Sequence, residues 1–113
     1  MSKTMQQLFF ERLEARLPEG FSLSVDYHYA NTGTLRVHRT GTFDPVTALI
    51  FHFNGDYATF DMPSPRDVPG LRPIGDRQEG KSFPYVTFNE IESRVIGAII
   101  NEVEMTEEVP NAR

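Results

Sequence analysis

The chain has 113 residues, with 11 basic and 16 acidic side chains and a net charge of −5. This length predicts one domain over residues 1–113 and leaves no room for a separate cofactor module. The absence of cysteine excludes disulfides, thiolate metal sites and a cysteine nucleophile. No apolar run approaches the roughly 20 residues that span a bilayer, and we expect a cytoplasmic protein without membrane contact.

The first predicted element is a helix from Met5 to Leu17. Thr4 precedes it and Gln7 lies three residues later, which is the spacing of a capping box. Apolar residues recur every three or four positions and predict one stripe that faces the core. The stripe consists of Met5, Phe9, Phe10, Leu13 and Leu17. Residues 18–20, Pro-Glu-Gly, end the helix.

Strict alternation predicts a strand over residues 21–29, with aromatic and aliphatic side chains on one face and polar side chains on the other. Residues 31–33, Asn-Thr-Gly, predict a three-residue hairpin loop in which Gly33 adopts the left-handed conformation. The register that follows places Asp26 opposite His38 on the polar face.

A third strand is predicted from Val46 to Phe53, and Asn54-Gly55 predicts a tight turn into a fourth strand. The predicted pairing sets Phe51 opposite Ala58. Alternation assigns four residues of this hairpin to the core, namely Leu49, Phe51, Phe53 and Phe60. The opposite face is only partly polar, because it carries Ala48, Ile50 and Tyr57.

Residues 62–84 contain five of the eight prolines, a density that predicts a long loop. Only short pieces near residues 71–74 and 83–88 are expected to pair at a sheet edge. A second helix is predicted from Glu90 to Met105 with Asn89 as its cap, and residues 106–113 are expected to fray.

Two features of the second helix depart from an ordinary surface helix. Its apolar face is widened by Ile96 and Ile100 beyond a narrow stripe. Gly97 costs about 1 kcal/mol relative to alanine in a helix interior, so we expect a close packing contact there.

Together these elements predict an α+β fold. Adjacent strands joined by short turns form an antiparallel meander, and each helix needs an apolar surface on which to bury one face. We therefore predict a two-layer sandwich with a four-stranded meander and the N- and C-terminal helices on one face of it.

No motif carries chemistry in its required context. Residues 75–82 match the phosphate-loop pattern, but no strand precedes them, and Pro84 blocks a helix that reaches back to Lys81. His28, His38 and His52 lack the local spacing of a structural zinc site. We predict no catalytic residue, no metal and no cofactor.

The charge distribution argues against nucleic acid as a partner. Arg36, His38 and Arg39 form a small basic cluster. The net charge of −5 and the acidic start of the second helix outweigh it and disfavour contact with phosphates. Nucleic-acid binding is therefore the second of the two alternatives to the main interpretation.

The pattern favours a small acidic, non-enzymatic module that binds a partner protein or forms a homodimer, with a chaperone-like or inhibitor-like accessory role by analogy. The predicted contact residues lie on the outer sheet face, the long loop and the last helix: Ile50, His52, Tyr57, Arg66, Arg72, Ile96 and Ile100. The first alternative is a small enzyme or ligand-binding domain that uses the 62–84 loop and the sheet edge. Its residues to test are His52, Tyr57, Asp61 and Arg66.

Overall fold

The computed structural model describes residues 4–42, 45–63 and 81–108. In chain order the elements are α1 (Met5–Arg16), β1 (Phe21–Tyr29), β2 (Thr32–Arg39), β3 (Pro45–Asn54), β4 (Tyr57–Met62), β5 (Lys81–Thr87), a 3₁₀ turn (Phe88–Glu90), a π-helical segment (Ile91–Ile96) and α2 (Gly97–Glu108). The described strands form one antiparallel sheet in the order β1-β2-β3-β4-β5. The α+β class with helices at both ends is confirmed, whereas the prediction of four strands is wrong.

The fifth strand was not predicted because it contains Pro84, and the proline density of residues 62–84 indicated a loop. β5 covers Lys81–Thr87 and so occupies the end of the region predicted as a long loop. Pro84 is compatible with a strand here because β5 lies at the sheet edge, where a missing N–H need not interrupt the ladder. The expectation that residues 83–88 could pair at an edge is correct for β5. Residues 64–80 of the predicted loop lie outside the described residues.

The first helix follows the sequence prediction closely. α1 covers Met5–Arg16, and Thr4 accepts a hydrogen bond from the Gln7 amide at 3.1 Å. The Gln7 side chain accepts in return from the Thr4 amide at 2.8 Å, which completes the predicted capping box. None of the described helices is long and apolar enough to cross a membrane.

Both helices pack against one face of the sheet, which we call the inner face. The ring of Phe9 on α1 lies 5.1 Å from that of Phe60, between centroids, and Glu102 on α2 bonds to Thr47 on β3. One row of the inner face crosses all five strands: Tyr27, Gly33, Phe51, Phe60 and Phe83. The four residues predicted as core are all buried, namely Leu49, Phe51, Phe53 and Phe60.

The predicted faces of both hairpins are confirmed except at Tyr29, which follows a bulge in β1, but their registers differ from the prediction. Asp26 pairs with Thr34 rather than with His38, and Phe51 pairs with Phe60 rather than with Ala58. Both differences are an even number of residues. Because side chains alternate with a period of two, an even shift leaves the same residues on each face.

The two hairpin glycines have different roles. Gly55 has a φ of +62°, as the Asn-Gly turn predicts. Gly33 instead lies inside β2 without a positive φ, so its predicted left-handed role is wrong. A Cβ atom on Gly33 would lie 2.6 Å from the Asp26 carbonyl oxygen and 2.9 Å from Cζ of Phe51. Glycine is required there by close approach rather than by backbone conformation.

The last helical region begins earlier than predicted and less regularly. The carboxylate of Glu90 accepts hydrogen bonds from the backbone N–H and the hydroxyl of Thr87, each at 3.0 Å, so Thr87 replaces Asn89 as the residue at the start. α2 continues to Glu108, which places residues 106–108 in the helix instead of in a frayed tail. Residues 109–113 lie outside the described residues.

Gly97 lies where the π-helical segment gives way to α2. A Cβ atom there would meet the carbonyl oxygen of Glu92 at 3.5 Å, which is an ordinary van der Waals distance. The close packing contact expected at Gly97 is therefore absent among the described residues.

Candidate interaction surface

The face of the sheet opposite the helices, which we call the outer face, has no described helix or strand packed over it. Its central row also crosses all five strands, and consists of Asp26, Thr34, Ile50, Asp61 and Ser82. Ile50 is the apolar member of this row and is 37% exposed. An exposed aliphatic side chain in the middle of a sheet face that no described helix or strand covers makes this face the candidate site.

Two tyrosine rings stack against each other on the outer face. The rings of Tyr57 on β4 and Tyr85 on β5 are stacked, with centroids 4.6 Å apart and planes 14° from parallel. The amide of Asn54 donates to the Tyr57 hydroxyl at 2.7 Å, which holds that ring in place. Tyr85 remains 55% exposed. The pair therefore presents a flat aromatic surface at fixed orientation.

Tyr85 was missed by the sequence analysis because its position depends on a bulge. The register between β4 and β5 shifts between Ala58 and Phe60. Phe83 is buried on the inner face, while Tyr85, two residues later, stacks on Tyr57 on the outer face. Strict alternation would place both rings on the same face, so no periodic signal in the sequence could have found this arrangement.

A second bulge moves Tyr29. The register between β1 and β2 shifts between Tyr27 and Tyr29, so that Tyr29 pairs with Thr32. Thr32 pairs with His52, and Tyr29 therefore belongs to the outer face rather than to the apolar face on which alternation placed it. Its side chain is 75% exposed.

Cross-strand hydrogen bonds orient two histidines on the outer face. Nδ1 of His52 lies 2.7 Å from the Thr32 hydroxyl, and Nε2 of His28 lies 3.1 Å from the Thr34 hydroxyl. The register sets Asp26 opposite Thr34, which excludes the cross-strand pairing of Asp26 with His38. Among the described residues no group of three or more histidines or carboxylates is arranged to hold a metal.

The predicted contact residues divide into three groups. Ile50, His52 and Tyr57 share the outer face. Ile96 and Ile100 are 0% and 6% exposed and belong to the core, which corrects the expectation that they are open to a partner. The physical reason is that β5 widens the sheet, so a broad apolar helix face finds enough surface to bury completely. Arg66 and Arg72 lie outside the described residues.

The enzyme or ligand-binding alternative has three described residues, and Arg66 lies outside the described part of the chain. His52, Tyr57 and Asp61 all belong to the outer face. A depression of about 730 Å³ instead lies at the end of the sheet where α1 begins. Its lining includes Thr4, Gln6, Asn31, Phe53, Asp56, Thr87 and Asn89. His52, Tyr57 and Asp61 are not among the described residues that line it.

The phosphate-loop pattern ends in a strand. Lys81 and Ser82, its last two residues, open β5, whereas phosphate binding requires a helix N-terminus at this point.

The basic cluster that was considered for nucleic-acid binding already has a contact within the chain. The guanidinium of Arg39 lies over the ring of Phe21, 5.1 Å from its centroid. Asp26 and Asp61 add negative charge to the outer face, which disfavours phosphate there.

The sequence matches no known family model and no curated protein, and the fold matches no solved structure. Function must therefore be argued from the geometry of the chain itself.

Proposed function

We propose that this protein is a non-enzymatic interaction module that binds a partner protein through the outer face of its sheet. The observation that carries the proposal is the stacked pair of Tyr57 and Tyr85, which shares with exposed Ile50 a sheet face that no described helix or strand covers. Aromatic side chains contribute large contact areas and are enriched in protein interfaces. Exposed aromatic and aliphatic side chains on one sheet face are typical of such a surface.

The face is ordered before binding, which favours affinity. Hydrogen bonds hold Tyr57 to Asn54 and His52 to Thr32. Each side chain that is already immobilised loses less conformational entropy when a partner arrives, a saving of about 0.5–1.5 kcal/mol per residue.

Charge defines the kind of partner. Asp61 pairs directly with Ile50 across the strands, and Asp26 lies in the same row toward the other edge. Arg36 is also on this face, but the two carboxylates outnumber it, so the face is complementary to a partner surface that has an apolar centre and mainly basic residues around it.

Site-specific cross-linking tests the proposal. A photoreactive amino acid at position 50 should capture one defined protein from an extract of the cells that make this chain. The same group at position 14, on the exposed side of α1, serves as the control. Equal capture of the same protein from both positions would contradict the proposal.

The binding affinities of variants for the captured protein then distinguish a specific contact from non-specific adhesion. Tyr85→Ala should weaken binding roughly tenfold or more, as expected of an aromatic interface anchor. Phe88→Ala removes an exposed ring that follows β5, and should change the affinity less than twofold. Unchanged affinity in Tyr85→Ala would refute the assignment of the site.

A further inference from the structure

The two edges of the sheet differ in how they are protected against pairing with another strand. On β5, Pro84 has no N–H to donate, and the carbonyl of Tyr85 already accepts from the guanidinium of Arg94 at 2.8 Å. β1 contains no proline, lysine or arginine, and no described strand lies beyond it. Proteins commonly use proline, basic residues and covering elements to block edge pairing, so among the described residues the β1 edge is the open one.

Alternate residues of β1 form the hydrogen-bonded pairs with β2, and the backbone groups of the other residues point away from β2. The Thr40 N–H donates to the Gly20 carbonyl at 2.8 Å, in line with the β1–β2 register. Hydrogen-bonded and non-bonded pairs alternate along an antiparallel ladder. Residues 22, 24 and 26 therefore bond to β2, while the N–H and C=O groups of Leu23, Val25 and Tyr27 point outward.

The side chains of the same outward residues are incompletely covered. Leu23 and Val25 lie on the inner face but are only half-buried, and Tyr27 is 51% exposed. On α1, Phe10 and Leu17 are likewise only partly buried against the core. The helix layer reaches β1 at Tyr27, whose hydroxyl accepts a hydrogen bond from Gln6 at 3.1 Å, but it covers Leu23 and Val25 only in part. An apolar strip is therefore left along this edge.

We propose that β1 pairs in antiparallel orientation with β1 of a second copy of this chain and joins the two sheets into one. With the two-fold axis at Val25, Leu23 of one copy faces Tyr27 of the other. The outward N–H and C=O groups of the two strands can then bond to each other, and the half-covered apolar side chains contact each other. Ser24 then faces Asp26, which keeps the two Asp26 carboxylates from opposing each other. This self-complementarity is what an isologous interface requires.

The joined sheet keeps both outer faces on the same side, because paired residues in an antiparallel ladder project to the same side. Self-association through β1 is therefore compatible with a partner protein on the outer face. The residues tested differ, namely Tyr85 and Ile50 for the outer face and Val25 for the β1 edge, so the two proposals fail independently.

Hydrogen exchange combined with light scattering tests the edge pairing. At high concentration the mass should be twice 12.9 kDa. The amides of Leu23, Val25 and Tyr27 should then exchange at least roughly tenfold more slowly than in a dilute monomeric sample. The amides of Ser22, Ser24 and Asp26 should be protected in both samples, which provides the internal control.

A proline substitution provides the matched variant. Val25→Pro removes an outward N–H and leaves the β1–β2 hydrogen bonds in place, so the variant should remain folded and monomeric where the parent chain is a dimer. Val25→Lys, which sets two ammonium groups against each other at the axis, should give the same result without a backbone change. A monomer at every concentration would overturn the proposal, and so would a dimer in which the amides of Leu23, Val25 and Tyr27 exchange rapidly.

Discussion

The hydroxyl of Thr47 on β3 donates a hydrogen bond of 2.7 Å to Oε1 of Glu102 on α2, and both residues are 2% exposed. A carboxyl group removed from water requires such donors, because burial without a partner is costly. The bond connects the last helix to the inner face of the sheet. Helical periodicity alone gives no indication of it, because Glu102 lies among the apolar residues of α2.

Thr47→Val should destabilise the fold by about 1–3 kcal/mol, since it removes the hydroxyl and leaves the Glu102 carboxyl with one donor fewer in the interior. Urea unfolding followed by circular dichroism measures the change. Thr47→Ser keeps the hydroxyl and should cost less, about 0.8 kcal/mol for the lost methyl group. Equal stabilities of the valine variant and the parent chain would show that the bond contributes nothing net.

Two glycine-to-alanine substitutions should change stability in opposite directions. Gly33→Ala should destabilise the fold by about 1–3 kcal/mol, because the new Cβ meets the backbone of Asp26 and the ring of Phe51 below 3.0 Å. Gly97→Ala should stabilise it by up to about 1 kcal/mol, since alanine is the better helix former and its Cβ has room. Thermal unfolding of both variants compares them directly. The same sign at both positions would contradict the packing described here.

Two neighbouring residues of β3 should differ sharply in their contribution to stability. The Phe51 ring is buried between those of Phe10, at 5.4 Å, and Phe53, at 5.5 Å, measured between centroids. Phe51→Ala should therefore cost about 3–5 kcal/mol in unfolding free energy. His52→Ala, one residue along on the exposed face, should cost within about 0.5 kcal/mol. Similar losses in denaturant titrations of the two variants would mean that the face assignment is wrong.

The carboxylate of Glu90 should contribute stability that depends on pH. Hydrogen bonds from the backbone N–H and then the hydroxyl of Thr87, with a smaller contribution from Arg94, lower the pKa of Glu90 below its ordinary value of 4.5. A folded-state pKa below the unfolded one means that this stabilisation is present above pH 4.5 and is lost as the pH falls through the lowered pKa.

The variant Glu90→Gln tests the predicted direction in which the contribution of Glu90 to stability changes with pH. The difference in unfolding free energy between the parent chain and this variant should be largest near neutral pH and should shrink as the pH falls below 4.5. Glu104→Gln removes a charge from an exposed position of α2 and controls for the change in net charge. A difference that stays constant over this pH range would contradict the role assigned to Glu90.

Much of the fold could be predicted because its signals are local. The capping residues and the apolar repeat predicted α1 to within one residue of its end, and alternation predicted the bounds of β1. The core residues of β3 and β4 were also predicted correctly, since the period of two survives an even shift in register. Of the candidate surface, the same alternation placed Ile50, His52 and Tyr57 on the outer face.

The sequence by itself determined which residues prefer water and which avoid it along each helix and strand, because that preference is repeated every few positions. Only the tertiary structure decided the registers, the edge role that makes Pro84 compatible with β5, and the two bulges that bring Tyr29 and Tyr85 to the outer face. It also decided that Ile96 and Ile100 are core and that Gly33 is a point of close approach. These outcomes depend on contacts between segments distant in sequence, whose geometry no single segment encodes.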